Sequence, residues 1–343
     1  MNICLSSAGR RVALLDCFRR GMRGLGLSGR VFAVDCSHTA PTFHLADAAW
    51  KVPPCTSPDF VPAMLELCAR EQIGLVVPTI DTELPAYARH RADFAAIGAT
   101  AAVSGPETVS IAADKLSTHR WLTDNGFPTV RQALPQEVMA NPEPWSFPLI
   151  AKPRGGSAGM GVIRVKTMAA LEVAAGESDD LVVQEIAPGC EHTVNVYVDG
   201  SGRCRCAVPH RRLEVRHGEV SKAVTVKHQG LMKLAKRLVE ALPEAYGALN
   251  IQCFVRDGDV RIIEINPRFG GGYPLAQAAG ADFPRWLLQE TAGLPLDPPE
   301  VDSDQWQDNL AMLRYDEAVF VRGEFIDCAS RAAAQSRAVS TEK

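Results

Sequence analysis

The chain has 343 residues, 46% of them hydrophobic and 22% charged, with a net charge of -4. That length predicts two or three structural units of ordinary globular composition, and the slightly acidic balance gives no general attraction to nucleic acid or to an anionic membrane surface. No apolar run approaches the roughly 20 residues that a bilayer span requires, and ten cysteines without C-x-x-C spacing point to buried thiols in a reduced, cytoplasmic setting.

Residues 2–6 read as a first strand and not as a basic-then-apolar signal segment. A helix follows with Val12, Leu14, Leu15 and Phe18 as its apolar stripe, then a second strand, Arg30 to Asp35. Strand, helix, strand predicts a parallel sheet, a Rossmann-like opening. The first turn carries only Gly9, so the G-x-G-x-x-G dinucleotide fingerprint is absent. Ser7 and Arg10 lie beyond the carboxyl end of a strand, where open sheets bind ligands; Arg10 and Arg11 equally suit a solvated helix start. The pattern repeats with a helix over 60–70 and a strand over 74–78. Asp81 and Glu83 then stand at a second carboxyl end, able to reach a substrate amine or to cap the next helix. A short strand over 101–104 and Gly105-Pro106 mark the first boundary.

A helical segment containing Lys115 ends at Asn125-Gly126-Phe127-Pro128, a C-cap glycine with proline beyond it. The strand Leu149 to Lys152, a loop with four glycines from Pro153 to Gly161, and the strand Val162 to Val165 form a predicted hairpin. Glycines allow backbone N–H groups at such a tip to approach anionic oxygens. No G-K-[ST] follows, so it is not a Walker loop. Strands are then expected at 181–186, 193–198 and 204–209. A cation-dense stretch follows, with His210, Arg211, Arg212, Arg216 and Lys222, and then a helix over 227–242. Gly247 to Val255 pairs through the tight turn Asp257-Gly258 with Arg261 to Asn266, which puts Gln252 near Glu264. Alternation in this last strand places Glu264 and Asn266 on one face. A carboxylate and an amide so placed can hold a hard cation, and Arg268 adds a fixed charge beside it. Helices begin at 273 and 283, residues 308–322 alternate like a strand, and the tail from about 330 is rich in Ala, Ser and charge.

The glycine hairpin, Gln184-Glu185 with Glu191, and Glu264-Ile265-Asn266-Pro267-Arg268 resemble, in that order, the ATP-grasp superfamily, most of all its carbamoyl-phosphate-synthetase-like branch. The resemblance covers about residues 2–320. It implies a Rossmann-like domain over 1–105 and an ATP-grasp fold of two α+β subdomains. These are a linker and small lid subdomain over 106–186 and a subdomain with the metal site over 187–330, with 331–343 a flexible tail. It further implies ATP as nucleotide, with Lys115 and Lys152 on phosphate and the adenine edge, Ser157, Ala158 and Gly159 in the lid, and Gln184, Glu185 and Ile186 at the adenine hinge. Glu191 would accept from the ribose, and Gln252, Glu264 and Asn266 would hold magnesium, with manganese as a substitute. Arg268 would steady the transferring phosphoryl group, and Arg216 and Lys222 fall where relatives place a γ-phosphate cation. The implied activity is a carboxylate–amine ligase that passes through an acyl-phosphate and acts on small molecules, with a homodimer in keeping with relatives. A kinase on the same scaffold, or a non-catalytic nucleotide-binding module, are the alternatives. No histidine is assigned as a general base, and His210 is the one worth testing.

Overall fold

Five short strands near the N-terminus pair only in parallel: β1 (Asn2–Ser6), β2 (Val31–Asp35), β3 (Ala48–Lys51), β4 (Ile73–Pro78) and β5 (Thr100–Ala101), in the order β3-β2-β1-β4-β5. The structure, a computed structural model, describes residues 1–156, 159–216, 218–297 and 305–323, so the expected tail over 331–343 lies outside the described residues. Ile3 and Leu5 project into one apolar cluster with Phe18 of the helix Val12–Gly24; Cys4 projects into another with Phe60 and Met64 of the helix Phe60–Glu71. Coverage on both faces explains the unbroken apolar runs of β1, β2 and β4. The edge strand β3 went unanticipated because its outer half, Trp50 and Lys51, is exposed and carries no such run.

The next sheet is antiparallel. It consists of β6 (Gln132–Ala133), β7 (Leu149–Pro153), β8 (Ile163–Val165) and β9 (Leu181–Glu185), in the order β6-β9-β7-β8. The expected hairpin is β7 and β8, with Leu149 opposite Val165 and Ala151 opposite Ile163. The helix Lys115–Asp124 precedes this sheet and is capped by Asp114, whose carboxylate accepts from the Ser117 N–H at 2.8 Å.

The third sheet has six antiparallel strands: β10 (Cys190–Val198), β11 (Cys204–Arg216), β12 (Glu219–Thr225), β13 (Gly247–Arg256), β14 (Asp259–Asn266) and β15 (Ala311–Leu313), in the order β14-β13-β10-β11-β12-β15. The helix Gln229–Ala241 covers one face with Leu231, Ala235 and Leu238. Asp257 and Gly258 both take positive φ, 52° and 86°, the geometry of a two-residue hairpin turn. Two expectations are corrected here. The alternation of 261–266 is interrupted: Gln252 faces Glu264 but Cys253 faces Ile262, so Ile263 is an unpaired bulge residue. Of the strand-like stretch 308–322, only 311–313 forms a strand, with backbone bonds to β12 reaching from Asn309 to Arg314, and β15 meets a partner on one side alone.

A single apolar cluster joins the parallel sheet to the third one, running from Ile3, Leu5 and Phe18 to Val194, Phe269 and Phe283. The Phe18 and Phe269 rings meet edge to face at 5.7 Å. Gly21 lets the first helix approach Leu288, whose side chain would lie 3.0 Å from any added Cβ. Among the described residues no helix is long and apolar enough to cross a membrane, and the nine cysteines are all unbridged.

The carboxyl ends of β1 and β4 are clasped by Glu83, which is fully buried. Its carboxylate accepts from the Ser6 and Ser7 hydroxyls at 2.6 and 2.8 Å and from the Thr79 and Ile80 N–H groups at 2.6 and 3.2 Å. Burial raises its pKa while these donors pull it back. Glu83→Ala leaves all of these donors without their acceptor and is expected to cost about 3 kcal/mol in urea unfolding, with Glu83→Gln, which keeps one acceptor oxygen, costing less.

Candidate functional site

The pleat of the third sheet sorts its side chains. Across it, His210, Thr193, Gln252 and Glu264 stand in register on four neighbouring strands. Two residues along, Asn195, Asn250 and Asn266 form a second row. Side chains two apart share a face, so these rows make one polar surface while Val194, Val196, Ile251 and Ile265 fill the core behind it. The polar surface floors a small pocket that opens to solvent, walled by Arg11, Arg212, Glu219 and the loop Gly270–Gly272.

Gln252, Glu264 and Asn266 come together as expected. Asn266 is oriented by Asn250: the Asn266 amide donates to Asn250 Oδ1 at 3.3 Å, and Asn250 Nδ2 donates to the Asn266 and Arg268 carbonyls at 3.3 and 3.1 Å. The pKa of the Glu264 carboxylate is raised, first by burial and also by Asp81, against Lys115, Lys152 and Arg268, which lower it. These five groups therefore share one electrostatic neighbourhood although they come from three parts of the fold. No cluster of three His, Cys, Asp or Glu suited to a metal occurs among the described residues. The donor set here is one carboxylate and two amides, a hard oxygen set that fits a magnesium ion completed by phosphate and water oxygens.

Arg268 is held by Asp81 in a two-pronged ion pair, Nε to Oδ1 at 2.8 Å and Nη2 to Oδ2 at 2.5 Å. Burial lowers the arginine pKa, but Asp81, with Glu264 and Glu219 adding to it, raises it on balance. Asp81, expected either to reach a substrate amine or to cap the next helix, is paired here with an arginine 187 positions away in sequence, which it orients.

Lys115 and Lys152 lie on the side of the second sheet. Lys115 Nζ donates to the carbonyls of Gly155 and Gly156 in the glycine loop, at 3.2 and 2.9 Å. Lys152 is buried and donates to Gln184 Oε1. Burial lowers its pKa to about 8, and Lys115 adds to the effect while Glu264 opposes it. Gln184 is buried near the end of β9. The Glu185 N–H donates to the Arg131 carbonyl at 3.1 Å and its carboxylate lies 3.7 Å from Arg131; Ile186 follows, exposed. Glu191 stands near the start of β10, its carboxylate 3.2 Å from Arg212 Nε. Gly159 sits in the loop with φ of +67° and open space around it. Ser157 and Ala158 lie outside the described residues.

Other expected site residues do not reach the pocket. Arg216 and Lys222 stand on the exposed β11–β12 hairpin and both pair with Glu214, at 2.7 and 2.6 Å. Their charges are matched there, away from Glu264. Ser7 and Glu83 are bound to each other, so neither is free to line a substrate site as expected. Arg10 is exposed, and its neighbour Arg11 enters the pocket instead, 3.2 Å from Glu219. Sequence reasoning missed Arg11, Asn195, Asn250 and Glu219. The period-two pattern of β10 and β11 was the available signal, since it sets Thr193 with Asn195 and His210 with Arg212 while turning Arg211 outward.

Asp81→Asn leaves Arg268 nearly enclosed without its counter-charge and is expected to cost about 3 kcal/mol in denaturant unfolding. Arg216→Ala and Lys222→Ala, at solvent-screened positions, should each stay within about 0.5 kcal/mol of the parent.

Comparison with known families agrees with this fold. Residues 3–102 match the family model of the PylC-like N-terminal domain, and residues 112–272 match that of the ATP-grasp domain. No curated protein sequence matches the chain significantly. Among solved structures, the biotin carboxylase domain of Hydrogenobacter thermophilus 2-oxoglutarate carboxylase, crystallised as a dimer with MgADP and bicarbonate, superposes with a TM-score of 0.71 at 16% identity. The match covers 90% of this chain and 73% of that one. N5-carboxyaminoimidazole ribonucleotide synthetase from Thermus thermophilus gives 0.67 at 19% identity, over 86% and 79% of the two chains. The Thermotoga maritima enzyme of the same name gives 0.63 at 19%, over 87% and 78%. At such identities the likeness is one of fold.

Proposed function

We propose that this chain, an ATP-grasp protein with a PylC-like N-terminal domain, is an ATP-dependent ligase. It activates a small-molecule carboxylate as an acyl-phosphate for attack by an amine, releasing ADP and phosphate. The observation that carries the reading is Glu264. Its carboxylate is aligned with Gln252 and Asn266 and lies within electrostatic reach of Lys115, Lys152 and Arg268. Three cations and two amides arranged around a shielded carboxylate suit a metal-bound polyphosphate far better than a neutral substrate.

Gln252, Glu264 and Asn266 would hold magnesium, which when bound screens the charge between the phosphates. Lys152, in the lid sheet, takes a phosphate oxygen, and Lys115 fixes the glycine loop by its carbonyls. Gln184, Glu185 and Ile186 border the base, and Glu191 faces the ribose. Arg268, aligned by Asp81, sits where negative charge collects on the transferring group. A carboxylate oxygen attacks the γ-phosphorus as the bond to ADP breaks. The amine nitrogen then attacks the acyl carbon, the C–O bond to phosphate breaks, and the nitrogen sheds a proton. The small subdomain excludes water during these steps, which protects the acyl-phosphate. Two chains acting together as a homodimer are compatible with this scheme.

Incubation with MgATP, hydroxylamine and a panel of small carboxylates is expected to yield a hydroxamate with at least one of them, since only an activated carboxylate is trapped that way. Phosphate ester formation on a hydroxyl, without hydroxamate, would replace the ligase with a kinase. Glu264→Ala should abolish ADP formation while leaving the fold intact, and full turnover in that variant would remove the metal role from Glu264. Because Lys152 loses its proton near pH 8, the charge that attracts phosphate is present below that pH and disappears above it. MgATP affinity should therefore fall by up to about tenfold per unit as pH rises from about 8 to about 9.5, and the Lys152→Met variant should bind weakly with no such slope.

A further inference from the structure

Of the pocket's polar side chains that this scheme leaves unused, one is fully buried. His210 is fully buried in the middle of the polar face of β11. Its Nδ1 lies 3.3 Å from Asn195 Nδ2, and an amide nitrogen can only donate, so Nδ1 accepts and the ring proton resides on Nε2. Nε2 is enclosed and has no hydrogen-bond partner. A buried donor in that condition costs free energy unless a ligand takes the bond.

The surroundings show where that ligand lies. The Nε2 and Cε1 edge of the ring faces Gly272: a Cβ added there would lie 2.9 Å from Nε2 and 3.0 Å from Cε1. That position is also 2.8 Å from Val220 Cγ1, so only glycine lets the 270–272 loop pack directly against the imidazole, at the wall of the pocket that Arg11 and Arg268 enter. Arg212 and His192 face the ring as further cationic or cationizable groups, and with burial they hold its pKa at about 3, so the ring is neutral across the physiological range. Three guanidinium groups, of Arg11, Arg212 and Arg268, and two carboxylates, of Glu219 and Glu264, line the pocket with it; a neutral N–H donor beside those guanidinium groups suits an oxyanion and, as a donor, offers nothing to a cation or to an apolar group.

We propose that His210 donates from Nε2 to an oxygen of the oxyanion bound in this pocket, with Asn195 fixing the tautomer and Gly272 as the wall residue beside the contact. The oxyanion is either the carboxylate of the substrate or the phosphate product, which share the chemistry of an anionic oxygen. The inference rests on the ligase reading for what the oxyanion is, but not for the contact itself.

The test uses the full chain with 15N-labelled histidine. At neutral pH the long-range imidazole spectrum of His210 should show the Nε2–H tautomer and stay constant from about pH 5 to about pH 8. Addition of acetate in one series and inorganic phosphate in another should shift the Nε2 resonance in the series that matches the natural oxyanion. His210→Phe, folded by circular dichroism, should bind that probe about tenfold more weakly, and His210→Gln, which keeps an amide donor, should recover part of the loss. An Nδ1–H tautomer, or a Nε2 resonance unmoved by both probes, overturns the proposal even if His210→Phe does not fold. Calorimetry with MgADP on the parent protein is the separate arm: failure to bind MgADP removes the nucleotide reading while leaving the histidine result to stand or fall by itself.

Discussion

Everything at the centre of this molecule depends on the pleat of one antiparallel sheet. From β10 to β14, one set of alternate residues closes an apolar core and the other set presents Thr193, Asn195, His210, Asn250, Gln252, Glu264 and Asn266 to a pocket. A shift of pairing by one residue would drive Glu264 toward Ile265's place in the core and push isoleucines into the pocket, which the burial of both faces forbids. The bulge at Ile263 absorbs the one extra residue of β14 before Glu264, so the register of the two functional rows is preserved.

Upon that face the parallel-sheet domain places its own groups. Asp81 grips Arg268 and Arg11 meets Glu219, both contacts joining residues of the first hundred to residues beyond two hundred. The apolar cluster that runs from Ile3 through Phe18 to Phe283 holds the two parts close enough for these ion pairs to form with little freedom. Each pair is partly shielded from water, so losing one member would leave an uncompensated charge; this makes the junction sensitive to single substitutions. Glu83 serves the same end one step further back, by tying the ends of β1 and β4 so that Asp81 is presented at a constant angle.

The second sheet contributes cations of a different character. Lys152 is buried and keeps its charge only below about pH 8, while Lys115 is spread over loop carbonyls. In the proposed scheme, arginine on the third sheet and lysines on the side of the second sheet divide the electrostatic work. The planar guanidinium of Arg268 is locked by a two-pronged contact, and the single-point ammonium of a lysine can follow a ligand as it settles.

Much of this was legible in the residues alone. Alternating strands, a glycine-rich hairpin and the run Glu264 to Arg268 pointed to the ATP-grasp fold and put Glu264 and Asn266 on one face, because these depend on local period and on residue type, and both are properties of neighbours in sequence. Helix positions such as Leu231, Ala235 and Leu238 followed for the same reason. What tertiary structure decided was which charges meet. Arg216 and Lys222 were the expected phosphate cations of the cation-dense stretch until the β11–β12 hairpin gave them Glu214, while Arg212 entered the pocket. Arg10 and Arg11 were indistinguishable until the first helix set its rotation against the third sheet, and Asp81 had no visible partner until folding brought Arg268 to it. Pairing between distant side chains is set by packing angles and strand order, which no local pattern encodes.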